Sequence, residues 1–469
     1  MNKRKFINAS GWYLFSSFFL RGIGLITTPI FTRILSKSEF GLLENFNALL
    51  SIMLIIGSLC FSATLARAKY DHAGKEYEYI KTCMLFTSLL VFVFCLVFLA
   101  FKNSIESFMQ LDERYFVIMF LVLLFNPALE LYSNLAKLKY NYKSLSAVNI
   151  SVGVLGVLLS FGLIALLDDN LLARVLGTQF PIVLFGLFFY VTYCIKGKRV
   201  NIDFIKYAIP ICIPLVIHSI SGAILNSSDR MMITRMCGAE YNAFYSIACS
   251  CSQLVYIFWF SMNSAFVPLL AEKMNEKKYN EINSFSVYYI VVFALVVLGM
   301  LFIAPDVVLL LGGKQYFEAS YSVPAIMVSF AFLFLYSLYV NVEQFMKITK
   351  GMAAATTCCA FVNVLLNLVF IPLYGYIAAA YTTMAGYFLM LLFHYAIIKK
   401  HDLQEIYNNK LIFGISFLCL LFALVFPILY SYSALRYVLL SLYVVILLIL
   451  FVKYKNLIMS LIKKDDSKN

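Results

Sequence analysis

The stretch LYSNLAKLKYNYKSLSA, Leu131–Ala147, is answered later in the chain by LYVNVEQFMKITKGMAA, Leu338–Ala354. Both open on Leu-Tyr-x-Asn, both carry a lysine twelve residues after the leucine (Lys143 and Lys350), and both close on alanine, at a constant offset. Two further pairs follow the same order: FTRILSKSEFG (Phe31–Gly41) with ITRMCGAEYN (Ile233–Asn242), and Ser62-Ala63 with Ser264-Ala265. A single shared string would be chance. Several, in one order and at nearly one offset, point to a duplication.

What is duplicated follows from composition. Of 469 residues, 62% are hydrophobic and only 13% charged, which no soluble globular domain matches. Apolar runs of about 20 residues recur along the chain, the length that crosses a bilayer core as a helix. They do not alternate in the short segments of a membrane barrel. Fourteen spans are expected, at roughly 10–32, 42–66, 80–101, 115–136, 146–167, 171–195, 207–229, 241–268, 286–311, 320–342, 353–371, 375–398, 411–430 and 434–452. The connections are short, so no soluble domain is expected. The fold class is an all-α polytopic membrane protein with two pseudo-symmetric six-helix lobes. Residues 1–200 make the first lobe, 201–400 the second, and 401–469 the last two spans and a tail. Six is even, so both lobes share one orientation about an axis along the membrane normal, with a cavity between them.

The net charge of +13 has a bland explanation, and no nucleic-acid partner is expected. Most of the 37 lysines and arginines fall in alternate connections, which the positive-inside rule assigns to the cytoplasm together with both termini. The exceptions are Arg33, Lys37, Lys102, Arg114, Arg174, Arg230, Arg235, Lys314 and Arg436, with Arg21 inside a span. The basic start MNKRKF leads into a spanning helix and not a cleaved signal. The eleven cysteines lack metal spacing and read as packing residues, and the four histidines are scattered. No metal or other cofactor is expected.

Polar residues inside the spans mark candidate sites. On helical spacing Ser10, Ser17, Arg21, Gly24, Thr28 and Thr32 share one side of the first span, and Trp12, Phe15, Phe19, Ile23, Ile26 and Ile30 the other. A charge at bilayer depth costs about 2.5–3.5 kcal/mol, so Arg21 either contacts substrate or gates, or pairs with Glu44 or Glu130. The second span repeats the theme with Glu44, Asn47 and Ser51, and the fourth with Asn126, Glu130, Ser133, Asn134 and Lys137. Lys137 stands two turns from Glu130 and is a possible neutraliser of it. The seventh span offers His218 and then Asp229-Arg230, the eighth Tyr245, Ser250 and Gln253, and the eleventh Asn363 and Asn367. Arg33 and Arg235 occupy equivalent positions of the two repeats at the outer rim, as interface anchors or cavity residues.

Three longer stretches carry a family resemblance: Gly11–Gly41, Ser227–Ser250 and Phe361–Thr383. Through them the chain resembles the Wzx-type polysaccharide flippases of the MOP superfamily, which also holds the lipid II flippases and the MATE exporters. The resemblance implies alternating access around a cationic cavity. It also implies passage of an undecaprenyl-pyrophosphate-linked oligosaccharide, such as an O-antigen or capsule unit, across the bacterial cytoplasmic membrane. Polysaccharide polymerase and chain-length regulator are the implied partners, the phospholipid bilayer the surroundings, and a monomer the expected state. Arg21 matches the first-span cavity arginine of the lipid II flippases. Thr27-Thr28 and Cys249-Ser250 stand where those proteins carry further arginines, which favours a different lipid-linked glycan. On this basis Arg21, Thr28, Arg33, Asn134, Lys137, Arg230, Arg235 and Asn363 are candidates for substrate binding. Glu44, Glu130, His218 and Asp229 are candidates for coupling or gating. The last two spans would cradle the polyprenyl tail. The alternative is a MATE-like exporter driven by H⁺ or Na⁺, with Glu44 or Glu130 as its ion site. An enzyme is not expected, because the outer loops are too short to hold catalytic groups.

Overall fold

The computed structural model describes residues 22–24, 26–139 and 141–466. Arg21, with most of the first span, lies outside the described residues. Thirteen helices are long and apolar enough to cross a membrane, and the described end of the first span, helix α1 (Gly22–Ile34), precedes them. All regular structure among the described residues is helical. Lipid enforces this, because it offers no partner to a backbone N–H or C=O.

The first lobe continues with α2 (Lys37–Ser58), α3 (Phe61–Asp71), α4 (Glu76–Ala100), the short α5 (Lys102–Met109), α6 (Glu113–Leu138), α7 (Tyr142–Ile164) and α8 (Asn170–Lys196). Between α1 and α2 the chain turns on a capping box: the Ser36 hydroxyl accepts from the Glu39 N–H, and the Glu39 carboxylate from the Ser36 N–H. The second span is not one helix as the sequence suggests. Leu59 and Cys60 both take left-handed backbone (φ 47° and 53°) and divide it into α2 and α3. Inside the lobe small residues let backbones touch. A Cβ at Gly177 would lie 2.4 Å from the Ser160 N, and one at Gly186 2.6 Å from the Phe125 O.

The second lobe comprises α9 (Asp203–Met236), α10 (Ala239–Asn275), α11 (Tyr279–Gly312), a 3₁₀ segment (Lys314–Ser322), α12 (Val323–Phe345), α13 (Thr349–Tyr374) and α14 (Ile377–Lys400). Helix α12 is its axis, with 83% of its spanning window buried. Phe334 stacks on Phe293 at 3.9 Å in that core. Helices α15 (Asn409–Tyr430) and α16 (Ser433–Asp466) lie outside both lobes and pack on the second. Tyr430 Oη donates to the Leu301 carbonyl, and Arg436 forks onto the Asp306 carboxylate at 3.0 and 3.1 Å.

Two features fix how the lobes meet. At one end α2 runs directly against the start of α10. A Cβ on Gly41 would stand 1.7 Å from the Ala239 carbonyl oxygen, so only glycine permits the approach. The Asn242 amide donates to the Gly41 carbonyl at 2.7 Å, the Thr32 hydroxyl to the Leu311 carbonyl at 2.6 Å, and Lys37 pairs with Glu240 at 2.9 Å. Arg33 and Arg235 both belong to this seal, and each crosses to the other lobe. Arg33 donates to the Leu310 carbonyl at 3.4 Å, and Arg235 lies 5.9 Å from the Phe108 ring centre. At the other end α9 bridges. Its first half buries Phe204, Ile205, Ala208 and Cys212 among residues of α3, α4, α6 and α8. After Pro210 and Pro214, Leu225 and Ile233 belong to the larger core shared with the second lobe.

Candidate functional site

Between the sealed end and the bridging half of α9 lie two adjoining chambers. The first, of about 330 Å³, is lined from lobe one by Thr27 and Thr28 of α1, Glu44 and Asn47 of α2, and Arg174 and Gln179 of α8; Ser250 of α10 closes it. Thr28 is thus where its helical stripe puts it, with its hydroxyl returned to the Gly24 carbonyl at 2.8 Å. The dominant charge is Arg174. Its guanidinium lies 3.6 Å from the Phe31 ring centre, and one Nη donates to the Ser160 hydroxyl at 3.0 Å. Its Nε is buried without a partner, and among the described residues it has no carboxylate in ion-pair range.

The second chamber, of about 640 Å³, is lined by α9, α10, α12, α13 and α14. Its most ordered group is Asp229, 1% exposed. One carboxylate oxygen accepts from Tyr245 Oη and Thr383 Oγ1, both at 2.6 Å, and the other from the Asn367 amide at 2.5 Å. Asn363 donates to Thr383, and Thr382 to the Asn367 side-chain oxygen. A carboxylate at this depth is tolerable only with such a complete set of donors. The sequence pattern brought Asp229, Asn363, Asn367 and Tyr245 forward; it gave no reason to join them.

Arg230 follows Asp229 on α9 and lines the same chamber, its Nε buried without a hydrogen-bond partner among the described residues. Its Nε lies 3.6 Å from the Glu44 carboxylate of the first lobe. Cys249 lines the second chamber and Ser250 the first, so this one ion pair stands on the shared wall. Glu44 therefore has a partner other than Arg21 in the described residues.

Other candidates stand apart. Glu130 accepts from Asn126 on its own helix at 3.2 Å, and Asn134 donates to the Glu130 backbone carbonyl at 3.1 Å. Lys137 is exposed and makes no ion pair with Glu130 among the described residues; the carboxylate takes a hydrogen bond from the Asn126 amide one turn earlier instead. His218 is exposed on the lining of the second chamber. Two groups of weight were missed. Arg174 was counted with the outer cations, although Thr178 one turn on continues its polar face. Glu343 fell one residue beyond the expected tenth span, and its partner His394 looked isolated. They meet as a buried pair, His394 Nδ1 at 2.9 and 3.0 Å from the Glu343 oxygens.

Comparison with known proteins bears on these chambers. The sequence profile of the family described as polysaccharide biosynthesis protein matches residues 7–274, more than half of the chain. The chain belongs to that family. A second profile, MatE, matches residues 214–373. No curated protein matches the sequence. Among solved structures, the lipid II flippase MurJ in an inward closed conformation is 16% identical, with a TM-score of 0.68, over 95% of this chain and 99% of its own. An inward-facing multidrug resistance MATE family transporter of the MOP superfamily is 14% identical, with a TM-score of 0.60, over 82% of this chain and 95% of its own. A MOP superfamily transporter from Pyrococcus furiosus is 13% identical, with a TM-score of 0.52, over 82% and 95%. These likenesses concern the fold. Family and fold together make the chain a multi-pass membrane protein of the polysaccharide biosynthesis family with the fold of these transporters.

Proposed function

We propose that this family member is a flippase for an undecaprenyl-pyrophosphate-linked oligosaccharide, passing it from the cytoplasmic to the outer leaflet of the bacterial cytoplasmic membrane by rocking of lobes 1–200 and 201–400. The carrying observation is Arg174. A guanidinium with a spare N–H, a ring behind it and no carboxylate of its own is a poor structural device and a good seat for an anion in a low-dielectric chamber. Arg21, next in sequence to the described end of the first span, would add a second cation, and Thr28 a hydroxyl. With both termini cytoplasmic, the Gly41–Ala239 seal faces outward and the chambers load from the cytoplasm. Helices α15 and α16 offer the polyprenyl chain an apolar face. The lipid II flippase shares the fold, but Thr27-Thr28 and Cys249-Ser250 favour another glycan here.

Coupling is assigned to Asp229. Its three donors, Tyr245, Asn367 and Thr383, stand on α10, α13 and α14, so a proton taken up by the carboxylate would disturb hydrogen bonds to three helices at once. Occupancy there would change how those helices pack. Glu44 with Arg230 acts as the latch between lobes, while Glu130 and His218 serve as secondary titratable positions.

The test is translocation of a fluorescent polyprenyl-diphosphate glycan in liposomes. Arg174→Ala and Arg21→Ala should each reduce it at least about ten-fold, with Arg174→Lys intermediate because it keeps charge and loses the fork. Wild-type rates in both alanine variants overturn the diphosphate role. Efflux of small organic cations, indifferent to glycan and abolished at Asp229, would establish the exporter instead.

A further inference from the structure

We propose that the second-lobe chamber is a carbohydrate-binding subsite, in which the His394 imidazole, held by Glu343, hydrogen-bonds a hydroxyl of a pyranose unit while the aromatic wall around Trp259 packs on that ring's C–H face. The proposal rests on the flippase reading and assigns the two ends of its substrate to different lobes.

Shape and lining come first. At about 640 Å³ the chamber lies within the ordinary range of small-molecule sites, about 300–1,000 Å³. Its rings form a continuous surface. Tyr256 is 5.1 Å from Trp259 and 5.6 Å from Phe330, and Tyr336 stacks on Tyr387 at 6.1 Å and on His394 at 5.4 Å. Two of them are locked: Trp259 Nε1 donates to the Ser337 hydroxyl at 3.0 Å, and Tyr387 Oη to the Asn226 side-chain oxygen at 2.5 Å. Opposite polarity is available beside them, since Gln253 and Gln344 line the chamber with exposed side chains. A pyranose is amphipathic in the same way, with apolar C–H faces and a hydroxyl rim. Rigid aromatics with a few placed amides meet both.

His394 supplies the polar anchor. It is 1% exposed and Glu343 0%. With Glu343 as a carboxylate, which only accepts, the two contacts put a proton on Nδ1. Nε2 is buried with no partner among the described residues, on a residue that lines the chamber. A buried polar atom without a partner is costly, so Nε2 calls for a hydrogen-bonding group. If the ring is neutral, Nε2 accepts; if charged, it donates. A hydroxyl answers either state, whereas an anion answers only the second.

Charge bookkeeping excludes the other occupants. Asp229 is saturated by three donors and the Arg230 of this chamber is already paired with Glu44, whereas Arg174 has no carboxylate in ion-pair range among the described residues, so a diphosphate is matched better in the first chamber. An organic cation needs an unpaired carboxylate, and Glu343 is turned to His394.

The two tryptophans, Trp12 and Trp259, make this measurable. In full-length Trp12→Phe protein in nanodiscs, Trp259 is the sole indole. It would be titrated with free N-acetylglucosamine, galactose and glucuronic acid, and separately with methylene diphosphate. At least one sugar should change the emission saturably, and methylene diphosphate should not. The Gln253→Ala, Gln344→Ala double variant changes only exposed side chains and should weaken sugar binding about ten-fold with its melting temperature unmoved; His394→Gln should weaken it at least as much. No response to any sugar, unchanged binding in these variants, or competition between diphosphate and sugar at Trp259 overturns the subsite. The two readings fail separately. Lipid-linked glycan translocated with no sugar response at Trp259 removes the subsite alone, and a sugar response with no translocation removes the flippase alone.

Discussion

The two chambers descend from one repeated pattern, and the same helical positions carry different chemistry. Aligning Thr32-Arg33 with Thr234-Arg235 sets Thr27-Thr28 of the first lobe against Asp229-Arg230 of the second, and each pair lines its own chamber. In the first lobe two hydroxyls leave the field to one incompletely satisfied guanidinium, Arg174. In the second, an acid is surrounded by donors and a base reaches across to Glu44. The first chamber carries a cation without an ion-pair partner among the described residues, and the second a hydrogen-bonded acid and a paired base. The repeated asparagines show the same split. Asn134 returns its amide to its own helix, while Asn341 donates to Asn263 of a neighbouring helix at 2.8 Å.

That contrast can be broken at several points. The largest effect is expected at Asp229. Asp229→Leu leaves Tyr245, Asn367 and Thr383 as orphaned buried donors and should destabilise the protein by about 3 kcal/mol, read as a lower melting temperature in detergent, with transport abolished. Asp229→Asn should keep most of the stability and lose coupling, so a stable, transport-dead Asn variant separates the two roles. Next stands Gly41→Val, whose side chain has no room against the Ala239 carbonyl. It should force the sealed end open and raise labelling of a cysteine introduced at Gln315 at least about ten-fold; unchanged labelling would mean that the seal lies elsewhere. Arg174→Ala should follow, with an affinity loss for diphosphate of about ten-fold and a smaller drop in melting temperature than Asp229→Leu, because it breaks one hydroxyl contact and a ring stack and no ion pair. The smallest is Glu44→Gln. At 3.6 Å the pair with Arg230 is long and partly exposed, worth at most about 1 kcal/mol, and a few-fold change in transport rate is expected.

Much of this was legible in the sequence, unevenly. Helix number and the two-lobe plan follow from hydrophobic length and from repeated strings, because bilayer thickness imposes one period on every span. Arg33 and Arg235 were recognised as equivalents from one dipeptide, and the structure gives them matching tasks in the seal. Pairings between spans were not legible. Nothing local tells Asp229 that Asn367 and Thr383 will surround it, or Glu343 that His394 will. Those contacts link residues far apart in the chain and depend on how helices rotate about their axes. Span edges were the other weakness, since a one-residue misjudgement hid Glu343; Arg174 lies inside the expected span 171–195, and grouping it with the outer cations hid the main cation of the described first chamber.

Helix α9 belongs to both halves, and this bears on how the protein can be divided. Its opening segment, Phe204 to Cys212, fills a groove in lobe one, and its remainder builds lobe two. Two polypeptides expressed from a cut in the 197–202 connection would leave the first fragment with a bare apolar groove and the second with a dangling apolar arm. Their reassembly should be driven by that arm. Moving the cut to the 276–278 turn would keep the arm with its groove but send two helices of the second half along with it. The ancestral repeat boundary and the boundary between separable parts are therefore different places in this chain.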